Sequence, residues 1–324
     1  DESNNALATV TINGQDKNTG YLTCTGAQCG AAIGGNDGRL TGNITINGGN
    51  ITAYSGKWAA AIGDGDTIYK KWHNDGADVG NWYVNGENKN INCSKIEING
   101  GNVYAMATTA TPAIGCSDQL STSQSGTEGL QWDGMKIEIN GGTIIAVGGD
   151  IEDTAGVGAG NQTNLNPSNI IINQNGYTKM LVLTKQGGYP IINDTTNANA
   201  IPAISSESTA TVIDLKFNSK RQANKIEFWE LVHGEYIADG EVFPNRELAK
   251  LGDDLFTYGI AVVLPSNTYK IKDGENPDID IVVPDGGGMI PGEEKTDGTV
   301  DIKYPPTITT PDSVVVEKGE DAKA

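Results

Sequence analysis

Positive charge is scarce in this sequence. It holds 22 lysines and arginines against 41 aspartates and glutamates, for a formal net charge of −19. The arginines are limited to Arg39, Arg221 and Arg246. A protein that grips nucleic acid needs a basic surface to displace counterions, so no nucleic-acid partner is expected. Attraction to an anionic membrane is disfavoured on the same ground. No run approaches the roughly 18 apolar residues of a membrane-spanning helix, so membrane insertion is not expected either. Histidine is limited to His73 and His233, and the four cysteines form no CxxC pair, which argues against zinc. Aromatic residues make up 6% of the chain, and helix-favouring residues are sparse. Glycine, by contrast, occurs 43 times, alongside abundant Asn, Thr and Ile. That mixture suits many short strands joined by tight turns.

The strands repeat. ITINGG at 44–49 returns as IEINGG at 96–101 and 137–142, while AAIG at 31–34 and 60–63 returns as PAIG at 112–115. Aligning Ile12, Ile46, Ile98, Ile139 and a degraded copy at Ile172 gives spacings of 34, 52, 41 and 33 residues. The unit is therefore about 33 residues long, and two copies carry insertions. Each unit opens with an alternating strand, such as Ile44 and Ile46 or Ile96 and Ile98, whose apolar side chains share one face. A glycine turn follows, then a second strand seen in Ile51, Val103 and Ile144. An apolar plug centred on Ile33, Ile62, Ile114 and Val157 closes the unit. One unit cannot bury its own apolar face, but stacked units make a continuous core. The pattern predicts a right-handed parallel β-helix of about five turns. Asn13, Asn47, Asn99, Asn140 and Asn173 hold the same turn position, so they are expected to form a hydrogen-bonded ladder along the column.

These ITINGG and GAAIGG words, spread over residues 8–176, resemble repeats in large surface proteins of Gram-positive, mainly clostridial, gut and soil bacteria. Some β-helix relatives are carbohydrate-binding. The resemblance implies a β-helix at the cell surface or outside the cell, with an adhesin-like role. The plugs here are less glycine-rich than the family pattern, and two linkers are expanded.

Beyond residue 176 the repeat words stop. KMLVLT, ATVIDLKF, KIEFWELV, EYIADGEVF, YGIAVVL and NTYKI read as strands, and FPNRELAKLGDD as one short helix. The expected division is a β-helix over 1–176, a small β-sandwich-like domain over 177–283, and a linker with a strand-like tail over 284–324. The phrase VVLPSNTYKI resembles the final strand of prealbumin-like surface modules. Pro305 and Pro306 keep the tail's first strand out of a central position.

Chemistry is hard to find. Polygalacturonase-like catalysis needs clustered aspartates with a histidine and an arginine–lysine pair, and no NTD or GHG motif occurs. Lyase chemistry needs calcium carboxylates and a basic proton acceptor, for which no candidate stands out. No catalytic residue is assigned, and the protein is expected not to be an enzyme. Asp37, Asp64 and Asp66 offer oxygen ligands in glycine loops that suit calcium, although Asp and Asn also simply make turns. No cofactor is required. Cys24 with Cys29 and Cys93 with Cys116 are the sequence-local disulfide pairs, implying an oxidising, extracellular address if formed.

The aromatics point to binding. The insertion over 64–90 contains Tyr69, Trp72, Trp82 and Tyr83, and the one over 117–135 contains Trp132. Both fall after a plug and before the next strand, so they leave the column on one side. Aromatic platforms stack on sugar rings, which makes these five residues the glycan-binding candidates; a mini-core covering the column is the other use for them. The expected function is that of a non-catalytic extracellular protein presenting a loop surface to polysaccharide or cell-surface glycan. The alternative is a structural subunit whose tail pairs with another copy and builds a filament or layer.

Overall fold

The computed structural model describes residues 9–14, 20–36, 41–65, 95–116, 135–150, 154–160, 169–185, 190–192, 203–238, 243 and 251–305. The alternating apolar residues of each repeat form the first side of a coil: β1 (Val10–Ile12), β4 (Ile44–Ile46), β7 (Lys95–Ile98), β10 (Lys136–Ile139) and β13 (Ile170–Ile172). These pair in parallel in the order β1-β4-β7-β10-β13. The second side stacks β2 (Tyr21–Thr25), β5 (Asn50–Tyr54), β8 (Asn102–Met106), β11 (Thr143–Val147) and β14 (Lys179–Thr184), again in parallel. The plugs form a third sheet of two-residue strands: β3 (Ile33–Gly34), β6 (Ile62–Gly63), β9 (Ile114–Gly115), β12 (Val157–Gly158) and β15 (Ile191–Ile192). Three parallel sheets stacked in register around one core make a parallel β-helix. Its fifth turn continues past the last repeat word, because KMLVLT supplies β14 and the coil runs to Ile192.

Like packs on like inside the coil. Ile46, Ile98, Ile139 and Ile172 are fully buried on the first side, and Ile62, Ile114, Val157 and Ile191 on the third. Each such side chain contributes roughly 1.5–3 kcal/mol through burial. Glycine is required at the second position of the first three plugs, Gly34, Gly63 and Gly115, where successive backbones nearly touch. A Cβ on Gly63, whose φ is +143°, would lie 2.0 Å from the Gly115 carbonyl oxygen. At the first corner the asparagine ladder is complete: Nδ2 of Asn47, Asn99, Asn140 and Asn173 each donates to Oδ1 of the preceding asparagine, at 2.8, 2.9, 2.9 and 2.8 Å.

The second side does not stop at the coil. β14 pairs antiparallel with β19 (Phe256–Val263), which pairs antiparallel with β16 (Thr211–Gln222). β16 in turn pairs in parallel with β22 (Gly288–Glu294), and β22 antiparallel with β23 (Val300–Ile302). The result is one nine-stranded sheet with β2 at one edge and β23 at the other. Its inner face extends the coil's core through Val212, Ala261 and Val263. Its outer face, including Ile145, Leu181, Leu183, Ile213 and Ile260, packs against a separate antiparallel sheet. That sheet runs β18 (Glu235–Ala238), β17 (Glu227–Val232), β20 (Asn267–Lys272), β21 (Ile279–Val283), and buries Phe228, Tyr269, Ile271 and Ile281. This is the sandwich-like region.

Some expectations need correction. β22 lies inside the stretch read as a linker, because Gly288, Pro291 and Gly292 look like loop residues yet fit a strand. Gly292 packs so tightly on Leu215 that a Cβ there would lie 2.7 Å from a Leu215 methyl. Cys24, Cys29 and Cys116 are not in disulfides. Cys24 stands in register with Ala53 and turns toward the coil's core, and Cys116 is fully buried in that core. Cys93 lies outside the described residues, as do residues 244–250 of the expected short helix and the tail from 306 onward. No helix among the described residues is long and apolar enough to cross a membrane.

A buried ion cluster locks the sandwich to the coil's extension. Arg221 Nη1 lies 2.8 Å from Asp273 and Nη2 lies 3.0 Å from Glu294, with all three side chains 3% exposed. A register shift in β16 between Lys216 and Arg221 lets Glu294 also accept the backbone N–H groups of Asn218 and Ser219, at 2.7 and 3.0 Å. The guanidinium stacks on the Phe217 ring, 4.1 Å from its centroid.

Candidate functional sites

Two surfaces gather polar and aromatic groups. The first is the edge of the coil from which both insertions leave. Asp64 N–H donates to Gly115 O at 3.2 Å and Cys116 N–H to Gly158 O at 3.0 Å, so the two departure points stack on successive turns. The return points stack too, with Lys95 opposite Lys136. The insertions therefore start and finish one above the other, as the repeat spacing predicts. Tyr69, Trp72, Trp82, Tyr83 and Trp132 within them lie outside the described residues, as do Asp37 and Asp66.

The described anchors have distinct chemistry. Asp64 is fully buried, and its Oδ1 accepts the Thr41 N–H at 2.8 Å, tying down the chain that enters β4. Its Oδ2 has no partner among the described residues. Burial raises its pKa to about 7, only partly offset by the Thr41 N–H. Burial also pushes the Cys116 thiol well above its ordinary value, with the nearby Asp64 charge adding to the effect, so this thiol is a packing group rather than a nucleophile. Among the described residues no three His, Cys, Asp or Glu side chains gather to hold a metal.

On the outward face of the first sheet, Glu97 stands directly opposite Glu138. Lys95 relieves that repulsion, with Nζ 3.0 Å from Glu97 and 2.9 Å from Glu138. The Lys95 hydrogen bond holds the Glu138 carboxyl below its usual range, opposite to the direction a general acid requires.

The second surface is the solvent face of the four-stranded sheet, and sequence reasoning missed it. β17 alternates, so Phe228 turns into the sandwich while its neighbour Trp229 stands on the outside. Trp229 Nε1 donates to Glu227 at 3.0 Å, and Lys272 Nζ sits 3.9 Å from the indole centroid. On the same face, Lys270 Nζ lies 4.9 Å from the Tyr236 ring and 2.7 Å from Asp280. Asp278 lies within 3.7 Å of Lys270 and 3.8 Å of Lys272. Two aromatic rings thus stand on one face of a sheet among paired charges. The signal was present in KIEFWELV, whose period of two separates Phe228 from Trp229; it was hidden by the concentration of tryptophan elsewhere.

A family model described as Beta helix repeat matches residues 44–66 and 137–161, which belong to the second and fourth turns. Nothing among curated proteins or solved structures matches the chain. Residues 44–66 and 137–161 are thus similar to beta helix repeats, and the coil they help to build is a parallel β-helix repeat structure.

Proposed function

We propose that this is a non-catalytic protein of the cell surface or extracellular space, adhesin-like, whose β-helix is a rigid shaft for glycan-binding surfaces. The observation that carries the reading is the Trp229–Tyr236 face. Rings that need not be ordered on binding offer stacking area at small entropic cost, and the surrounding Lys, Asp and Glu side chains supply donors and acceptors for hydroxyl groups. The two aromatic-rich insertions, anchored one above the other, are a second contact region in the same reading. The acidic surface favours neutral or cationic glycans over acidic ones.

A glycan array probed with the full chain tests the proposal. Binding to at least one polysaccharide class is expected. Trp229→Ala is expected to weaken it about tenfold or more, as loss of a central aromatic contact does. Trp72→Ala with Trp82→Ala reports separately on the insertions. An array without any signal contradicts the proposal.

A further inference from the structure

The two ends of the column are finished differently. At the far end, Asn173 Oδ1 accepts from Thr209 N–H and Oγ1, at 3.4 and 3.3 Å, and Val212, Ala261 and Val263 continue the core. At the near end, no described residue covers the core positions. Val10 is 37% exposed where Ile44, one turn on, is 1%; Leu22 is 37% exposed where Ile51 is 2%. Every ladder asparagine donates toward this end, so the Nδ2 of Asn13 is the donor left over, with no acceptor among the described residues. β2 is also the open edge of the nine-stranded sheet. Asn50 N–H bonds Gly20 O and Gly26 N–H bonds Tyr54 O, so even-numbered residues of β2 serve the parallel ladder to β5. The N–H and C=O groups of Tyr21, Thr23 and Thr25 consequently face outward.

We propose that this open edge accepts residues 313–317 of a second copy as an added strand, joining copies head to tail. The segment reads Ser-Val-Val-Val-Glu, as long as the five-residue β2. Laid beside β2, Val314 and Val316 cover Leu22 and Cys24, while Ser313, Val315 and Glu317 take the outer face beside Tyr21, Thr23 and Thr25. The chain's own tail is too short for this. It leaves from β23, eight strand steps from β2 in the nine-stranded sheet, or about 38 Å at about 4.8 Å per step. The added strand lies one step further still, about 43 Å away, whereas from Ile302 at the end of β23 to Ser313 the chain, fully extended, spans only about 37 Å at about 3.4 Å per residue. The contact pairs one end of each copy with the opposite end of the next, which is heterologous and propagates. It is independent of the glycan reading.

Sedimentation velocity on the full chain over a concentration series tests it. The wild type forms a ladder of species larger than a monomer. Thr23→Pro removes an outward N–H without touching the bonds to β5, and V314D/V316D puts charges where the core must be covered. Each variant alone stays monomeric, and an equimolar mixture gives dimers and nothing larger, because one partner keeps its edge and the other its tail. Dimer formation establishes that the edge of the V314D/V316D variant is folded, and thermal melting reports on the Thr23→Pro coil. If Thr23→Pro melts below the wild type, Thr25→Pro on the same edge replaces it. A wild type that is monomeric throughout, a variant that assembles like the wild type, or a mixture of folded variants that stays monomeric overturns the proposal.

Discussion

The coil and the sandwich share one nine-stranded sheet but are held together by different means. In the coil each position repeats its chemistry: isoleucine rests on isoleucine, asparagine bonds asparagine, and glycine backs onto glycine. In the sandwich every contact is individual, as in Phe228 against Phe243 with ring centroids 5.2 Å apart, or Arg221 between two acids. Repetition spreads stability over many similar contacts, whereas the sandwich concentrates it at a few, so single substitutions should separate the two regions.

The largest loss is expected from Arg221→Leu. It leaves Asp273 and Glu294 buried without their cation, which costs on the order of 3–5 kcal/mol, read by denaturant unfolding. A loss below about 1 kcal/mol would remove the contrast drawn here. Next is Asp64, a buried acid inside the repeating region. Its pKa is raised from 3.8 to about 7 in the folded state, so between those values the folded chain binds more protons than the unfolded one. Its contribution therefore favours folding at acid pH and is lost as pH rises through about 7. The shift is worth about 4 kcal/mol as an upper figure, at about 1.4 kcal/mol per pH unit. Asp64→Asn keeps an acceptor for Thr41, so it should raise stability at pH 8 and flatten its slope between pH 4 and 7. Asp214, pushed up by burial with Ile191 N–H as its counterweight, adds a slope of the same sign that this variant leaves in place. The smallest effect is expected from Asn99→Ala, which removes two bonds of the ladder, the one it donates to Asn47 and the one it accepts from Asn140, and costs about 1–2 kcal/mol. A cost of several kcal/mol would mean that the ladder acts as a unit rather than as repeated, nearly independent bonds.

The same contrast explains what could be read from the sequence. Repetition turns three-dimensional register into linear spacing, so Ile12, Ile46, Ile98, Ile139 and Ile172 reveal the stack before any fold is known. Where repetition ends, so does that signal. β14 carries none of the repeat words, yet it completes the fifth turn because its inward Met180 and Val182 fill the places of Ile144 and Ala146. β22 was hidden because glycine and proline, normally strand breakers, are accepted in a strand held between β16 and β23. The Trp229 face needed pairing information, since only the register places Trp229 opposite Lys270 and Glu227 opposite Lys272.

The central claim is that rings fixed on this scaffold bind sugar. Saturation-transfer NMR on the full chain, with a soluble polysaccharide drawn from the array, tests it most directly. The account predicts transfer to the sugar ring protons with the wild type and its loss, by about tenfold or more, in a folded Trp229→Ala variant. Equal transfer from wild type and variant, or none from either, would contradict it.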